Sequence, residues 1–379
     1  MSVRFLTAVS GRAFNMHDRF GREIDYMRIS VIDSCNLNCY YCNPQDNNKK
    51  CQAINILSVK KVLCIVRAAT RLGITHFRLT GGEPLLHPQI DEMVSQIKKI
   101  PGVRSVSLTT NAVPLAQHAK QLKEAGIDSI NVSLDTIDAS EYEHITKKPL
   151  LDKVEHGIDA AIECGIRVKI NVVLTPQTDV VALTRYASKK GTDIRFIEMM
   201  PVGEGHTNGV EPYKKVIGTL SELYGEPYHV NTGKTKEINS GYNKYKEERK
   251  NPDNGPAEYY SFHGLDIRVG LIQAIHGKFC DTCNRIRVTA DGRLMPCLGS
   301  SVTMDLVPDS CEFTDDLEKD FVIVQALKAA IKAKPGCHNF NDNAVTYTKT
   351  TETKTVETKA TELKAAEVNA ARNMSRIGG

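Results

Sequence analysis

An α/β fold built on a parallel sheet, in the form of an open, partial (β/α)6 TIM-like barrel, is what this sequence predicts. Three observations carry that expectation. Short apolar runs alternate with amphipathic runs from Tyr26 onward, which is the signature of repeated βα units. The alternation repeats six times, fewer than the eight units of a closed barrel. Each apolar run ends on polar or glycine-rich residues, and parallel sheets bind ligands at the carboxyl ends of their strands.

The predicted strands are Arg28–Ile32, His76–Leu79, Ser105–Leu108, Ser129–Leu134, Arg167–Leu174 and Asp193–Ile197, and the helices between them Ser58–Leu72, Gln89–Lys99, Leu115–Ala125, Leu151–Cys164 and Val180–Lys190. The first strand runs into Asp33-Ser34-Cys35-Asn36-Leu37-Asn38-Cys39-Tyr40-Tyr41-Cys42, a C-x3-C-x2-C loop. Its three cysteines can converge on one inorganic cluster and leave one iron open, which separates a catalytic metal site from a closed one. A structural zinc site completed by a distant Cys or His is the other reading of the loop alone. The second strand ends in Thr80-Gly81-Gly82-Glu83-Pro84, whose glycines let backbone approach a ligand, or which is a plain βα turn. The third and fourth end in Thr109-Thr110-Asn111-Ala112 and Asn131-Val132-Ser133-Leu134-Asp135, polar groups at the barrel mouth or helix N-caps. In the fifth, Lys169 and Asn171 alternate with apolar residues and so share the interior face. Buried lysines are rare unless paired, so Lys169 is expected to meet an anion. The sixth, Arg195-Phe196-Ile197-Glu198-Met199-Met200-Pro201, puts Arg195 inside and Met200 at the rim.

Beyond the barrel, Gly203–Gly209 reads as an exposed loop, Leu220–Tyr224 as part of a short helix and Thr235–Asn254 as a polar insertion, before strands resume near Leu265–Ile275. A second constellation follows: Cys280-Asp281-Thr282-Cys283 and then Cys297, or C-x2-C-x13-C. Asn284–Ala290 reads as a strand, Asp291-Gly292 as a hairpin turn and Arg293–Pro296 as the return, which brings Cys297 back beside Cys283. Spacing alone also allows a zinc ribbon with Cys311 or His276 as fourth ligand. Arg285 and Arg287 share one face beside this metal site and suit a polyanion such as a triphosphate; solvated surface charge is the alternative.

Composition bounds the partners. The chain has 379 residues, 25% of them charged, and a net charge of +4, too little to argue for nucleic acid. No apolar stretch is long enough to span a membrane, and Met1–Gly11 does not read as a secretion signal. Six of eleven cysteines fall in the two tight groups, which favours metal sites in a reducing, cytoplasmic compartment over disulfides.

The cysteine loop resembles that of the radical S-adenosylmethionine (SAM) enzymes. Together with TGGEP, TTN, NVSLD, RFIEMMP and FCDTCNRIRVTADGRLMPCL, in this order over most of Tyr26–Leu298, it is similar to the GTP 3′,8-cyclase family, which opens molybdenum cofactor biosynthesis. The resemblance implies a partial barrel of the radical SAM type with a C-terminal extension carrying a second cluster. It implies [4Fe–4S] clusters at Cys35, Cys39 and Cys42 for SAM and at Cys280, Cys283 and Cys297 for GTP. By motif, SAM contacts fall on Tyr41, Gly82, Ser133 and Met200. GTP contacts fall on Arg28, Arg78, Thr109, Lys169, Arg285 and Arg287, with Arg195 nearby, and the catalytic roles fall on Lys169, Arg285 and Arg287. The implied reaction is one-electron cleavage of SAM to methionine and a 5′-deoxyadenosyl radical, removal of the 3′ hydrogen of GTP and attack of the ribose radical on C8 of guanine. The implied partners are an electron donor such as flavodoxin or ferredoxin and, downstream, cyclic pyranopterin monophosphate synthase, with room for a homodimer.

Two departures stand out: Ser34 where an Arg is common and Ala112 where a Gly is common, neither a cluster ligand. The expected organisation is an irregular segment 1–20, the barrel 21–230, an extension with the second cluster 231–340 and a low-complexity tail 341–379. Within the tail, Glu352–Ala371 falls into five-residue units that wind charge round a helix at about 140° per unit. It therefore reads as a solvated linker before Gly378 and Gly379, which match a Gly-Gly end that reaches the family's active site. A peptide-modifying radical enzyme, which usually carries more extra cysteines, and a non-catalytic metal-binding protein are the rival readings.

Overall fold

Six runs of residues buried on both faces form the centre of the sheet: β1 (Tyr26–Ser30), β2 (His76–Thr80), β3 (Ser105–Thr110), β4 (Ser129–Ser133), β5 (Val168–Val173) and β6 (Asp193–Ile197). Parallel strands covered on both sides read as near-continuous apolar runs, which is why these six were legible. The computed structural model describes residues 16–42, 54–202, 209–230, 255–300, 303–306, 317–338 and 340. The predicted polar insertion at 235–254, most of the loop at 203–209, Cys311, residues 1–11 and the tail with Gly378 and Gly379 lie outside them.

Helices α1 (Val59–Thr70), α2 (Ile90–Lys98), α3 (Leu115–Glu124), α5 (Leu151–Glu163) and α6 (Val180–Lys190) cross between these strands. In α1 the buried Val62, Ile65, Val66 and Ala69 make one stripe, and Ser58 caps the start, its hydroxyl accepting from Lys61 N at 3.3 Å. An unpredicted helix, α4 (Ala139–Thr146), is capped by Asp138, which accepts from Glu141 N at 2.8 Å. The chain then adds α7 (Thr219–Tyr224), β7 (Tyr228–His229), β8 (Glu258–Ser261), β9 (Val269–Ile272), β10 (Arg285–Val288), β11 (Arg293–Met295), β12 (Met304–Asp305) and a second unpredicted helix, α8 (Leu317–Ala333).

The strand order is β12-β11-β10-β1-β2-β3-β4-β5-β6-β9-β8-β7. The six barrel strands run in sequence and do not close. The C-terminal extension lengthens the sheet at both ends, β10 pairing parallel with β1 (Arg28 opposite Arg287) and β9 parallel with β6 (Arg195 opposite Gly270). Strands β11 and β8 return antiparallel outside them. Helix α8 packs on α1, and its Ile323, Leu327 and Ile331 are buried. Among the described residues no helix is long and apolar enough to cross a membrane.

The segment before β1 is not featureless. Asp18 accepts from Phe20 N and Arg22 N, and His17 bridges to Glu23 in a tight turn.

Candidate active site

The loop after β1 is held by its neighbours rather than by itself. Gly82 N donates to Ile32 O and Glu83 N to Ser34 O, both at 2.8 Å, so the Gly81-Gly82 turn lies directly on the cysteine loop. A Cβ on Gly82 would fall 2.2 Å from Ser34 O, and only glycine allows that approach. Asn38 N and Tyr40 N donate to Thr146 O and Ile145 O at the end of α4, and Tyr41 Oη donates to Asp135 Oδ2 at 2.6 Å. Cys35 Sγ receives two N–H groups, Leu37 N at 3.4 Å and Asn111 Nδ2 at 3.7 Å. Burial pushes the Cys35 thiol up to about 12 and the Cys42 thiol to about 11, and raises Cys39 as well.

Glu83 stays inside the turn, accepting from Thr110 Oγ1 and Asn111 N at 2.7 Å and from Leu85 N at 3.0 Å. Thr110 and Asn111 are therefore not helix caps; α3 starts from Pro114 without a side-chain cap. Ala112 sits at φ 63, the left-handed region that an L-residue enters at a cost of roughly 1–2 kcal/mol.

Across the cavity, β10, the hairpin and the short turn at Cys280–Thr282 present the second cysteine trio. The hairpin forms as predicted, with Gly292 N closing on Thr289 O at 2.9 Å. Although burial pushes its thiol up, Cys283 is held down to about 7 by Arg285 and Lys334. His276 pairs with Glu198 through Nδ1 and is not among the residues that line the cavity with Cys280, Cys283 and Cys297. Among the described residues no three His, Cys, Asp or Glu side chains converge tightly enough for a single metal ion. Each trio lines the cavity with three thiols, the number that can hold a four-iron cluster and leave one iron open.

Both trios line one cavity, together with Arg28, Arg78, Arg195, Arg285 and Arg287. Thr109, Asn131, Ser133 and Asn171 face it from β3, β4 and β5, and Tyr41, Gly82 and Met200 line its mouth. Lys169 is 1% exposed and buried in the barrel, but it is not among the lining residues. It lies opposite Asn131 and Asp193 in the strand register. Burial, and then the neighbouring Arg287, hold the Arg28 guanidinium well below its usual range; burial and Arg285 hold Arg287 down to about 10, still cationic at neutral pH. Among the described residues, Arg195 Nε and Nη2, Arg285 Nε and Arg287 Nη1 are buried without a hydrogen-bond partner. Buried donors left unmade and cations crowding one another together describe a pocket built for a polyanion. Arg285 is steadied by Phe279, its Cζ lying 5.1 Å from the ring centroid.

The two halves of the cavity match two descriptions. The Radical SAM superfamily profile covers residues 29–183, and the Molybdenum Cofactor Synthesis C profile residues 192–340. The chain is 35% identical to a GTP 3′,8-cyclase of Clostridium perfringens over 330 residues, 86% of this chain and 95% of that one. It is 36% identical to one of Listeria monocytogenes over 327 residues, 85% of this chain and 92% of that one.

The chain belongs to the GTP 3′,8-cyclase family.

Its fold is also that of SuiB from Streptococcus suis, solved bound to S-adenosylmethionine, with a TM-score of 0.54 at 15% identity over 80% of this chain and 68% of that one. That likeness shows the radical SAM fold alone. Within the GTP 3′,8-cyclase family frame, sequence reading found both cysteine trios and the lining arginines. It did not single out Asp135, Arg22 or Lys334. Asp135 lay inside a quoted motif; the other two are lone charges whose burial comes only from tertiary packing.

Proposed function

We propose that this chain is a radical SAM GTP 3′,8-cyclase, converting GTP to (8S)-3′,8-cyclo-7,8-dihydroguanosine 5′-triphosphate in the first step of molybdopterin biosynthesis. Two [4Fe–4S] clusters and SAM are its cofactors. The observation that carries the reading is one cavity lined by two separate cysteine trios with five arginines. Cys35, Cys39 and Cys42 hold the cluster that takes SAM, and Cys280, Cys283 and Cys297 hold the one that meets GTP. When bound, the first supplies one-electron cleavage of SAM and hydrogen removal from the substrate ribose, and the second an open iron for the guanine.

The chain's own residues bind and orient. Tyr41, Gly82, Ser133 and Met200 seat SAM at the mouth, with Tyr41 fixed by Asp135. Arg28, Arg78, Thr109, Arg195, Arg285 and Arg287 hold the triphosphate, and Lys169 supports it from deeper in the barrel. Fixing the substrate between the two cofactors makes the hydrogen transfer and ring closure intramolecular in effect and keeps water out. The barrel 21–230 carries SAM chemistry and the extension 231–340 substrate fixation. A low-potential donor such as flavodoxin or ferredoxin, a homodimeric state, product transfer to cyclic pyranopterin monophosphate synthase and a cytoplasmic setting complete the proposal.

The test is anaerobic reconstitution. About eight irons per chain are expected, four for each cluster, with cyclised GTP formed from GTP, SAM and a reductant. Replacing Cys35, Cys39 and Cys42 together by Ala should halve the iron and abolish 5′-deoxyadenosine. An unchanged iron count in that variant would remove the first trio from the assignment.

A further inference from the structure

One buried cation is unused by this account. Lys334 follows the last residue of α8 and is 2% exposed. Its Nζ donates to Arg285 O at 2.8 Å and to Pro296 O at 3.1 Å, and it lies 3.4 Å from Cys283 Sγ. An ammonium has three donors and no acceptor, so these three partners use all of them. They belong to the first residue of β10, the residue just past β11 and the middle thiol of the second trio. Among the described residues no carboxylate pairs with Lys334.

That set of partners has a consequence. Burying an ammonium is costly unless an anion compensates it, and carbonyl dipoles alone do so poorly. The one partner able to carry negative charge is the sulfur of Cys283, which is anionic when it ligates iron. An N–H···S bond from a fixed cation stabilises the electron-rich state of an iron–sulfur cluster more than the oxidised one, so it raises the potential. The two carbonyl contacts meanwhile pin both strands of the hairpin to α8.

We propose that Lys334 is a positioning residue for the second cluster: its ammonium bonds Cys283 Sγ, locks the β10–β11 hairpin that carries Arg285 and Arg287, and raises that cluster's reduction potential. The inference rests on the second trio holding a cluster. If wild-type protein carries only about four irons, that reading fails before Lys334 is tested.

The experiment is an EPR-monitored redox titration of reconstituted holoenzyme, in wild type, K334M, K334Q and K334R, with the second cluster identified as the one whose signal GTP perturbs. In K334M and K334Q the reduced-to-oxidised ratio of that cluster, poised at the wild-type midpoint, should fall roughly three- to tenfold, the tenfold limit being about 59 mV for a one-electron couple. The first cluster's midpoint should not move, K334R should recover most of the shift, and an exchangeable-proton coupling at the second cluster should vanish in K334M. Unchanged potentials in K334M and K334Q alongside a lowered melting temperature would make Lys334 a brace for the fold and overturn the inference. Where K334M does not load, iron release to a chelator from K334Q decides. Faster loss from the second site alone supports the proposal, and equal loss from both sites overturns it.

Discussion

At the scale of single residues, the cavity is defined by charges that repel one another until a ligand arrives. Arg287 has a buried Nη1 without a partner and lies opposite Arg28 in the strand register. R287A should weaken GTP binding by about 1.5–3 kcal/mol, the range for hydrogen bonds to charged groups. R287K should recover only part of it, because an ammonium cannot reproduce the guanidinium fork. SAM cleavage in the absence of GTP should be spared. Calorimetry with GTP and with SAM on the same preparation separates these outcomes, and equal loss of both affinities would mean that Arg287 supports the fold instead. Residues of this kind were legible because they alternate within apolar strands beside a cysteine trio, which favours a bound polyanion over solvated surface charge. Lys334 and Arg22 were not: Lys334 follows Lys328 and Lys332 in an alanine-rich run and Arg22 stands in a polar stretch, so each reads as one more solvated charge until distant elements close over it.

Elements were legible where one rule dominated. The five helices between barrel strands show a clear apolar stripe, whereas α4 is too short for its periodicity to stand out and α8 is nearly apolar from Phe321 to Val324, a run that fits strand or helix equally. β1 starts at Tyr26 rather than Arg28 because its ladders to β2 and β10 begin there, Tyr26 lying opposite His76 and Arg285. The contact between α5 and the turn after β3 gives a sharper case. Gly157 lies inside α5, and a Cβ there would sit 2.4 Å from Ala112 O and 3.1 Å from Leu115 Cβ. Helix propensity alone predicts that G157A stabilises by about 1 kcal/mol. Packing predicts the reverse, a loss of about 1–3 kcal/mol from overpacking, because backbone cannot rotate away as a side chain can. The turn that would move carries Asn111 and directly follows β3, which carries Thr109, so SAM and GTP affinities should fall with stability. Urea unfolding of the apoprotein settles the sign, and a more stable G157A would show that α5 slides freely on this turn.

For the whole molecule, the question is what holds an open sheet in shape. The extension grips both ends of the barrel, β10 on β1 and β9 on β6, and the segment before β1 grips the extension in turn. Arg22 makes that second grip. Its Nε pairs with Asp18 Oδ2 at 2.6 Å, its Nη1 donates to Cys280 O at 2.7 Å and Gly336 O at 3.0 Å, and its Nη2 to Pro335 O at 2.6 Å. One guanidinium thus ties the start of the chain to a residue of the second trio and to the turn after α8. R22A would leave a buried carboxylate and three carbonyls without that donor, a loss of about 3–5 kcal/mol on the scale of a broken buried pair. The effect should be regional. Iron from the second site should be released to a chelator faster than in wild type, while iron at the first site and SAM cleavage stay near normal, since neither touches Arg22. Acid should reproduce it. Burial raises the Asp18 carboxyl, but the N–H groups of Arg22 and Phe20 and the guanidinium bring it below its ordinary value of 3.8, so its stabilisation is present above that pH and lost as pH falls through the lower folded value. D18N should blunt that acid step. Simultaneous loss of both clusters in R22A would show instead that the open sheet comes apart as one unit, with no separable grip at the second site.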